Sequence, residues 1–283
     1  MKTIKIAGVP EHFNLPWQLC IENGEFDKIG IDLQWTDIAE GTGKMCQMLR
    51  DGETDIAVIL TEGIVKDIIA GNNTSIVQVY VESPLIWGIH VGAQSKYNSL
   101  DDLENAKVAI SRYGSGSHLM AYVNAKNQNW NTENIEFEIV NTIDGAVDAL
   151  TNGTADYFLW ERFMTKPLVD KGVFHRVADC PTPWPSFVIA VRNEFLESNK
   201  QSVALLLETI NNTTIEFKDI PSIDRTLASK FNQKQDDIKE WLSLTKWSQK
   251  PLQEKVLNNI QNQLFDLKII DKKGTFADIV KAV

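Results

Sequence analysis

The sequence predicts an α/β protein of two similar lobes followed by a helical C-terminal tail. Three observations carry this. Strand-like and helix-like runs alternate over the first two thirds of the 283 residues, the pattern of parallel-rich sheets with helices packed on their faces. A helix, a glycine, an aspartate and an apolar strand recur in that order, once around Gly52 and Asp55 and again around Gly153 and Asp156. From residue 194 onward the apolar spacing is helical, with Leu252, Val256, Ile260 and Leu264 forming one stripe.

Ile4 and Ile6 alternate with Thr3 and Lys5, so the chain is expected to open with a strand over residues 3–9. Strands over 32–37, 55–60 and 76–81 follow, separated by helices around 17–23, 44–50 and 64–70. The apolar run 85–91 reads as a buried strand. It opens a second set, with strands over 107–111, 136–140, 156–160 and 175–177 and helices near 118–128, 145–150 and 163–171. Another buried strand is expected over 187–191. Gly52 and Gly153 suit the left-handed position after a helix end, where a Cβ would clash. Pro221 and Pro251 stand where tail helices could begin, because a first turn tolerates proline. No Gly-, Ser- or Pro-rich linker divides the chain. Short crossing strands are therefore expected to join a first lobe of residues 1–86 plus 190–283 to a second lobe of residues 87–189.

Composition narrows the function. Lys+Arg 28 against Asp+Glu 38 gives a net charge of −10, which repels phosphate backbones and anionic membranes. Nucleic acid is excluded as a partner on this ground. No apolar run of about 20 residues exists to span a bilayer, so no direct membrane insertion is expected. Cys20, Cys46 and Cys180 are too few and scattered for a disulfide framework or a zinc site. They are expected to pack as small apolar residues. The amino terminus lacks the apolar core and cleavage site of a secretory leader. The expected location is the cytoplasm for the chain as written, and the periplasm if a leader was removed.

In open α/β sheets, ligands bind beyond the carboxyl ends of the strands. Five loops occupy such positions: Glu11-His12-Phe13, Gly41-Thr42-Gly43-Lys44, Thr61-Glu62-Gly63, the run from Arg112 to His118, and Trp160-Glu161-Arg162. In the fourth, Tyr113, Gly114, Ser115, Gly116, Ser117 and His118 precede a helix. Their small side chains let backbone amides and hydroxyls approach an anionic group at the helix start. Neither a P-loop nor a dinucleotide fingerprint is present. Phe13, Trp17, Trp87, Tyr113, Trp160, Trp184 and Phe187 gather at the same places, and Trp184 sits in the stiff Thr182-Pro183-Trp184-Pro185 loop. Flat side chains on rigid loops suit a planar ligand.

No catalytic residue, cofactor or metal is assigned. Ser117 and His118 are adjacent in sequence and lie outside any G-x-S-x-G elbow, and His12, His90, His118 and His175 show no metal-ligand spacing. Glu62 and Glu161 end matching strands of the two halves. They are candidates to bind a cationic group or to act as acid and base with His12 or His118; as exposed loop charges they would do neither.

The lobe order, the Gly52-Glu53-Thr54-Asp55-Ile56-Ala57 segment and the helical tail resemble type 2 periplasmic solute-binding proteins of the class serving nitrate, alkanesulfonate and thiamine-precursor uptake. The segment from Ser111 to His118, with Asp156 to Glu161 and Thr182 to Pro185, is similar to a bacterial and Candida subgroup lacking an assigned ligand. The resemblance covers nearly the whole chain. It implies a two-lobed type 2 periplasmic-binding-protein fold, hinge closure on a small planar or anionic solute without turnover, and an ABC permease as partner if the protein is exported. The alternative is an enzyme related to the yeast-type thiamine-pyrimidine synthase. Against it, the positions of that synthase's reactive lysine and histidine correspond here to Ile59 and Gly63, and Pro181 to Phe187 replaces its cysteine-rich motif. The effector half of a transcription regulator shares the fold, but the chain opens on a strand with no helix-turn-helix before it.

Overall fold

Strand β1 (Lys2–Gly8) opens the chain in the computed structural model, which describes residues 1–283. After it come α1 (Leu15–Glu22), α2 (Glu25–Lys28), β2 (Ile31–Asp37), α3 (Thr42–Asp51), β3 (Ile56–Leu60), α4 (Thr61–Ile69) and β4 (Thr74–Val81). The next block comprises β5 (Ile86–Gly92), β6 (Val108–Ile110), α5 (Gly116–Asn127), β7 (Phe137–Ile139), α6 (Ile143–Asn152), β8 (Tyr157–Glu161), α7 (Arg162–Asp170) and β9 (Phe174–Pro181). Strand β10 (Phe187–Arg192) leads into α8 (Asn193–Glu216), α9 (Ile223–Lys230), α10 (Gln235–Leu244), α11 (Glu254–Asp266) and α12 (Phe276–Ile279).

These elements form two units, Met1–Ser83 with Trp184–Val283, and Pro84–Pro183. The chain changes unit at Ser83–Pro84 and at Pro183–Trp184. The expected boundaries, after residues 86 and 189, fall further along, within β5 and β10. Apolar periodicity marks a buried strand but not the residue at which its chain enters the unit.

The first unit's sheet runs β2-β1-β3-β10-β4, and the second's β7-β6-β8-β5-β9. The two orders are equivalent. In the first, β10 lies antiparallel between β3 and β4, with Phe187 opposite Leu60 and Val81. In the second, β5 lies antiparallel between β8 and β9, with Trp87 opposite Glu161 and Cys180. In each case the inserted strand is the first element after a crossing.

The repeated sequence pattern is a repeated device. Gly52 and Gly153 both end their helices in left-handed conformation at φ 72°. Asp55 then exchanges bonds with the neighbouring strand: its carboxylate accepts the Lys5 amide at 3.0 Å and its own amide donates to the Lys5 carbonyl at 3.0 Å. Asp156 does the same with Lys107, at 2.8 Å and 2.8 Å.

The tail differs in detail from its sequence reading. On α11 the buried residues are Leu257, Ile260, Gln261 and Leu264, while Val256 is only half-buried. A strict four-residue repeat drifts about 40° per step on a helix of 3.6 residues per turn, so Leu257 replaces Val256 on the inward face. Pro221 and Pro251 lie ahead of α9 and α11, outside their first turns. Helix α8 carries a kink at Asn199, where φ is −136°. All three cysteines are buried and unpaired, and burial pushes the Cys46 and Cys180 thiols up to about 12. No helix is long and apolar enough to cross a membrane.

Candidate functional site

In the first unit the loops after β1, β2 and β3 lie at one sheet edge, because β2-β1-β3 are neighbouring parallel strands. After β1, Glu11 is extended and residues His12–Asn14 form a buried 3-10 turn. The Asn14 amide donates to the Val9 carbonyl at 2.8 Å and holds the turn against the strand end. His12 is fully buried, with its ring 4.3 Å from Phe231 and 5.1 Å from Trp241. Neither ring nitrogen has a hydrogen-bond partner in good geometry. Burial pushes its pKa down to about 4, with Gln233 opposing weakly, so the ring is neutral at pH 7. Phe13 meets Phe187 at 5.0 Å and Trp241 at 5.1 Å, and its carbonyl accepts from the Tyr80 hydroxyl at 2.7 Å.

The starts of α3 and α4 approach closely. A Cβ at Gly63 would lie 2.3 Å from the Thr42 methyl, so glycine is required there. Ile59, the other position compared with the synthase, is wholly buried in β3. Thr61 donates its amide to the Ser186 carbonyl at 3.1 Å, but its buried hydroxyl has no partner. Glu62 is 3% exposed, and its Oε2 accepts the Trp184 indole N–H at 2.8 Å. Burial pushes this carboxyl up to about 7, its own amide and Trp184 pulling the other way. Glu11 keeps some surface, yet desolvation pushes it up to about 7 as well.

The second unit's edge is organised by serines. Ser115 caps α5 by accepting the His118 amide at 3.3 Å and donates to the Arg112 carbonyl at 2.7 Å. Ser117 accepts the Ser111 amide at 3.0 Å and lies 3.1 Å from the Ser115 hydroxyl. Both hydroxyls thus hold the loop itself. The Gly114 amide, at a left-handed φ of 78°, donates to His118 Nδ1 at 3.1 Å. Arg112 and Gly116 flank this loop, Arg112 on the surface. Tyr113 is 62% exposed, and with His118, Tyr122 and Phe137 it forms an edge-to-face aromatic cluster.

At the end of β8, Trp160 stacks on Phe158 at 5.4 Å and packs against the unit's core. Glu161 caps α7, accepting the Met164 amide at 2.7 Å. The expected match between Glu62 and Glu161 is shifted in the structure. The residue preceding α4 is Leu60, whereas the residue preceding α7 is Glu161, so Glu62 lies inside a first turn and Glu161 outside one. Glu11, His12, Phe13, Thr42, Thr61, Glu62 and Trp184 belong to the first unit, and Arg112 to His118, Trp160 and Glu161 to the second.

Sequence reasoning missed Tyr80, Phe231 and Trp241, which enclose the His12-Phe13 turn. Trp241 was the findable one, since with Ile238 it forms the apolar face of α10. No group of three or more His, Cys, Asp or Glu side chains is placed to hold a metal ion.

Comparison with known proteins fits this architecture. A family model described as Ca3427-like PBP matches residues 87–180. The Candida albicans CA3427 gene product, described as defining a new family with the generic periplasmic-binding-protein fold, superposes with a TM-score of 0.91 at 22% identity. That match covers 99% of this chain and 96% of the other. The alkanesulfonate-binding protein SsuA of Xanthomonas axonopodis pv. citri, bound to MOPS, gives 0.83 at 15% identity over 100% and 99% of the two chains. Escherichia coli SsuA, a periplasmic aliphatic sulphonate binding protein, gives 0.79 at 16% over 99% and 92%. No curated protein matches in sequence. The chain has the type 2 periplasmic-binding-protein fold, and its structural neighbours include the ligand-binding component of an ABC-type import system from Staphylococcus aureus, with a TM-score of 0.77 at 14% identity over 100% and 97% of the two chains.

Proposed function

We propose that this protein is a non-enzymatic solute-binding protein whose two units close on one small planar molecule, the strand-end loops of each sheet forming the walls. The observation that carries the reading is the buried Thr61 hydroxyl left without a partner at the first unit's edge, next in the chain to the buried Glu62 carboxyl. Buried polar groups are otherwise almost always paired, and each orphan is costly. A ligand that supplies both donors and acceptors removes that cost. The start of α5 in the second unit is the natural wall for an anionic group, through its amides and partly positive end. The commitment of Glu161 to capping α7 supports binding over acid–base turnover. If the protein is exported, an ABC permease is the partner.

Mass spectrometry of small molecules released on denaturing freshly purified protein tests this directly. In a thermal-shift panel of sulfonates, pyrimidines, dicarboxylates and amines, a true ligand at a hundred times its Kd adds about 2.7 kcal/mol. That amounts to a few degrees for a protein of this size. Absence of any released molecule together with a flat panel removes the reading.

A further inference from the structure

The first unit's edge carries an unbalanced charge. Glu11 and Glu62 approach it from the ends of β1 and β3, adjacent strands of the sheet. Neither makes an ion pair, and the two cations of α3 are engaged elsewhere, Lys44 with Glu53 at 3.6 Å and Arg50 with Asp67. Desolvation is the leading cause of the upward shift of both carboxyls, and no neighbouring positive charge opposes it. A buried carboxyl without a counter-charge is a standing cost to the fold. The Trp184 indole donates to Oε2 of Glu62 at 2.8 Å and fixes the carboxyl in place. Thr61, next in the chain, adds a buried hydroxyl with no partner.

We propose that the first unit binds the positively charged, planar nitrogen group of the solute, an amidinium or a protonated amino-heterocycle, with Glu62 as its counter-ion and Thr61 as an additional hydrogen-bond partner. This rests on the solute-binding reading and specifies which end of the solute the first unit reads. A planar N–C–N cation matches a carboxylate through parallel charge-assisted hydrogen bonds, and the Trp184 indole holds that carboxylate in place. A sulfonate in the same position would face the Glu62 carboxylate, which has no counter-ion.

Benzamidinium and benzenesulfonate are matched probes, one ring with opposite charge. Isothermal titration of the wild-type protein at about pH 8, where both carboxyls are mostly ionised, is expected to show benzamidinium binding at least about tenfold more tightly than benzenesulfonate. Glu62→Gln is expected to weaken benzamidinium by about tenfold or more, in line with losing a charge-assisted pair. Its melting curve and circular dichroism confirm that the variant folds, and the wild-type comparison stands without it. Equal or tighter binding of benzenesulfonate, no heat from benzamidinium, or unchanged benzamidinium affinity in a folded Glu62→Gln protein overturns the assignment. If an anionic or neutral solute binds instead, only the charge assignment fails. If no solute of either charge binds, the solute-binding reading fails with it.

Discussion

Glu62 and His12 stand for opposite electrostatic choices at one sheet edge. The Glu62 carboxyl is raised from 4.5 to about 7, so the folded state holds its proton more tightly than the unfolded chain does. That contribution to stability is complete below about pH 4.5 and is lost as pH rises through about 7. His12 and His90 are lowered from 6.5 to about 4. Their contribution is complete above about pH 6.5 and is lost as pH falls through about 4. Between these limits the two kinds of group offset each other. Glu62→Gln removes one side of the balance. Relative to wild type, the variant should lose about 2–3 kcal/mol of stability on going from about pH 8 to about pH 5, measured by urea unfolding at each pH. A parallel response of the two proteins would show that Glu62 titrates normally. The sequence located Glu62 and His12 by their strand-end positions. It could not reveal that both are buried, because burial is conferred by Trp184 and by Phe231 and Trp241, distant in the chain.

At the scale of elements, the glycines separate backbone need from packing need. Gly153 has open space where a Cβ would go, so Gly153→Ala should cost only the left-handed backbone term, about 1 kcal/mol. Gly63 sits in a helix, and its missing Cβ is occupied by the Thr42 methyl at 2.3 Å. Gly63→Ala must push α3 and α4 apart, and the expected cost is about 1–3 kcal/mol. Chemical denaturation of the two variants checks the order; a Gly153→Ala loss equal to or above that of Gly63→Ala would contradict it. The repeat around Gly52 and Gly153 was legible because a helix stop and the following strand are local signals. The α11 face was misread at Val256 because spacing alone does not say where a helix's inward stripe is centred.

For the whole molecule, the tail completes the first unit by covering the turn after β1. Trp241 is 1% exposed and touches both His12 and Phe13, and the Trp247 indole donates to the Phe13 carbonyl at 3.3 Å. Trp241→Ala should cost about 3–5 kcal/mol and, by letting water reach the imidazole, raise the His12 pKa toward 6.5. A histidine NMR titration reads that shift, and an unmoved His12 would show that the ring is desolvated by other groups. The sequence by itself determined the order of elements, the doubled helix–glycine–aspartate–strand unit and the loops that end the strands. These rest on periodicity, capping and turn chemistry within a few residues. Only the tertiary structure decided which of those loops bury charge, that Glu62 pairs with Trp184, and that the tail encloses His12. Contacts between residues more than a hundred positions apart depend on how sheets and helices pack, and local pattern does not encode that.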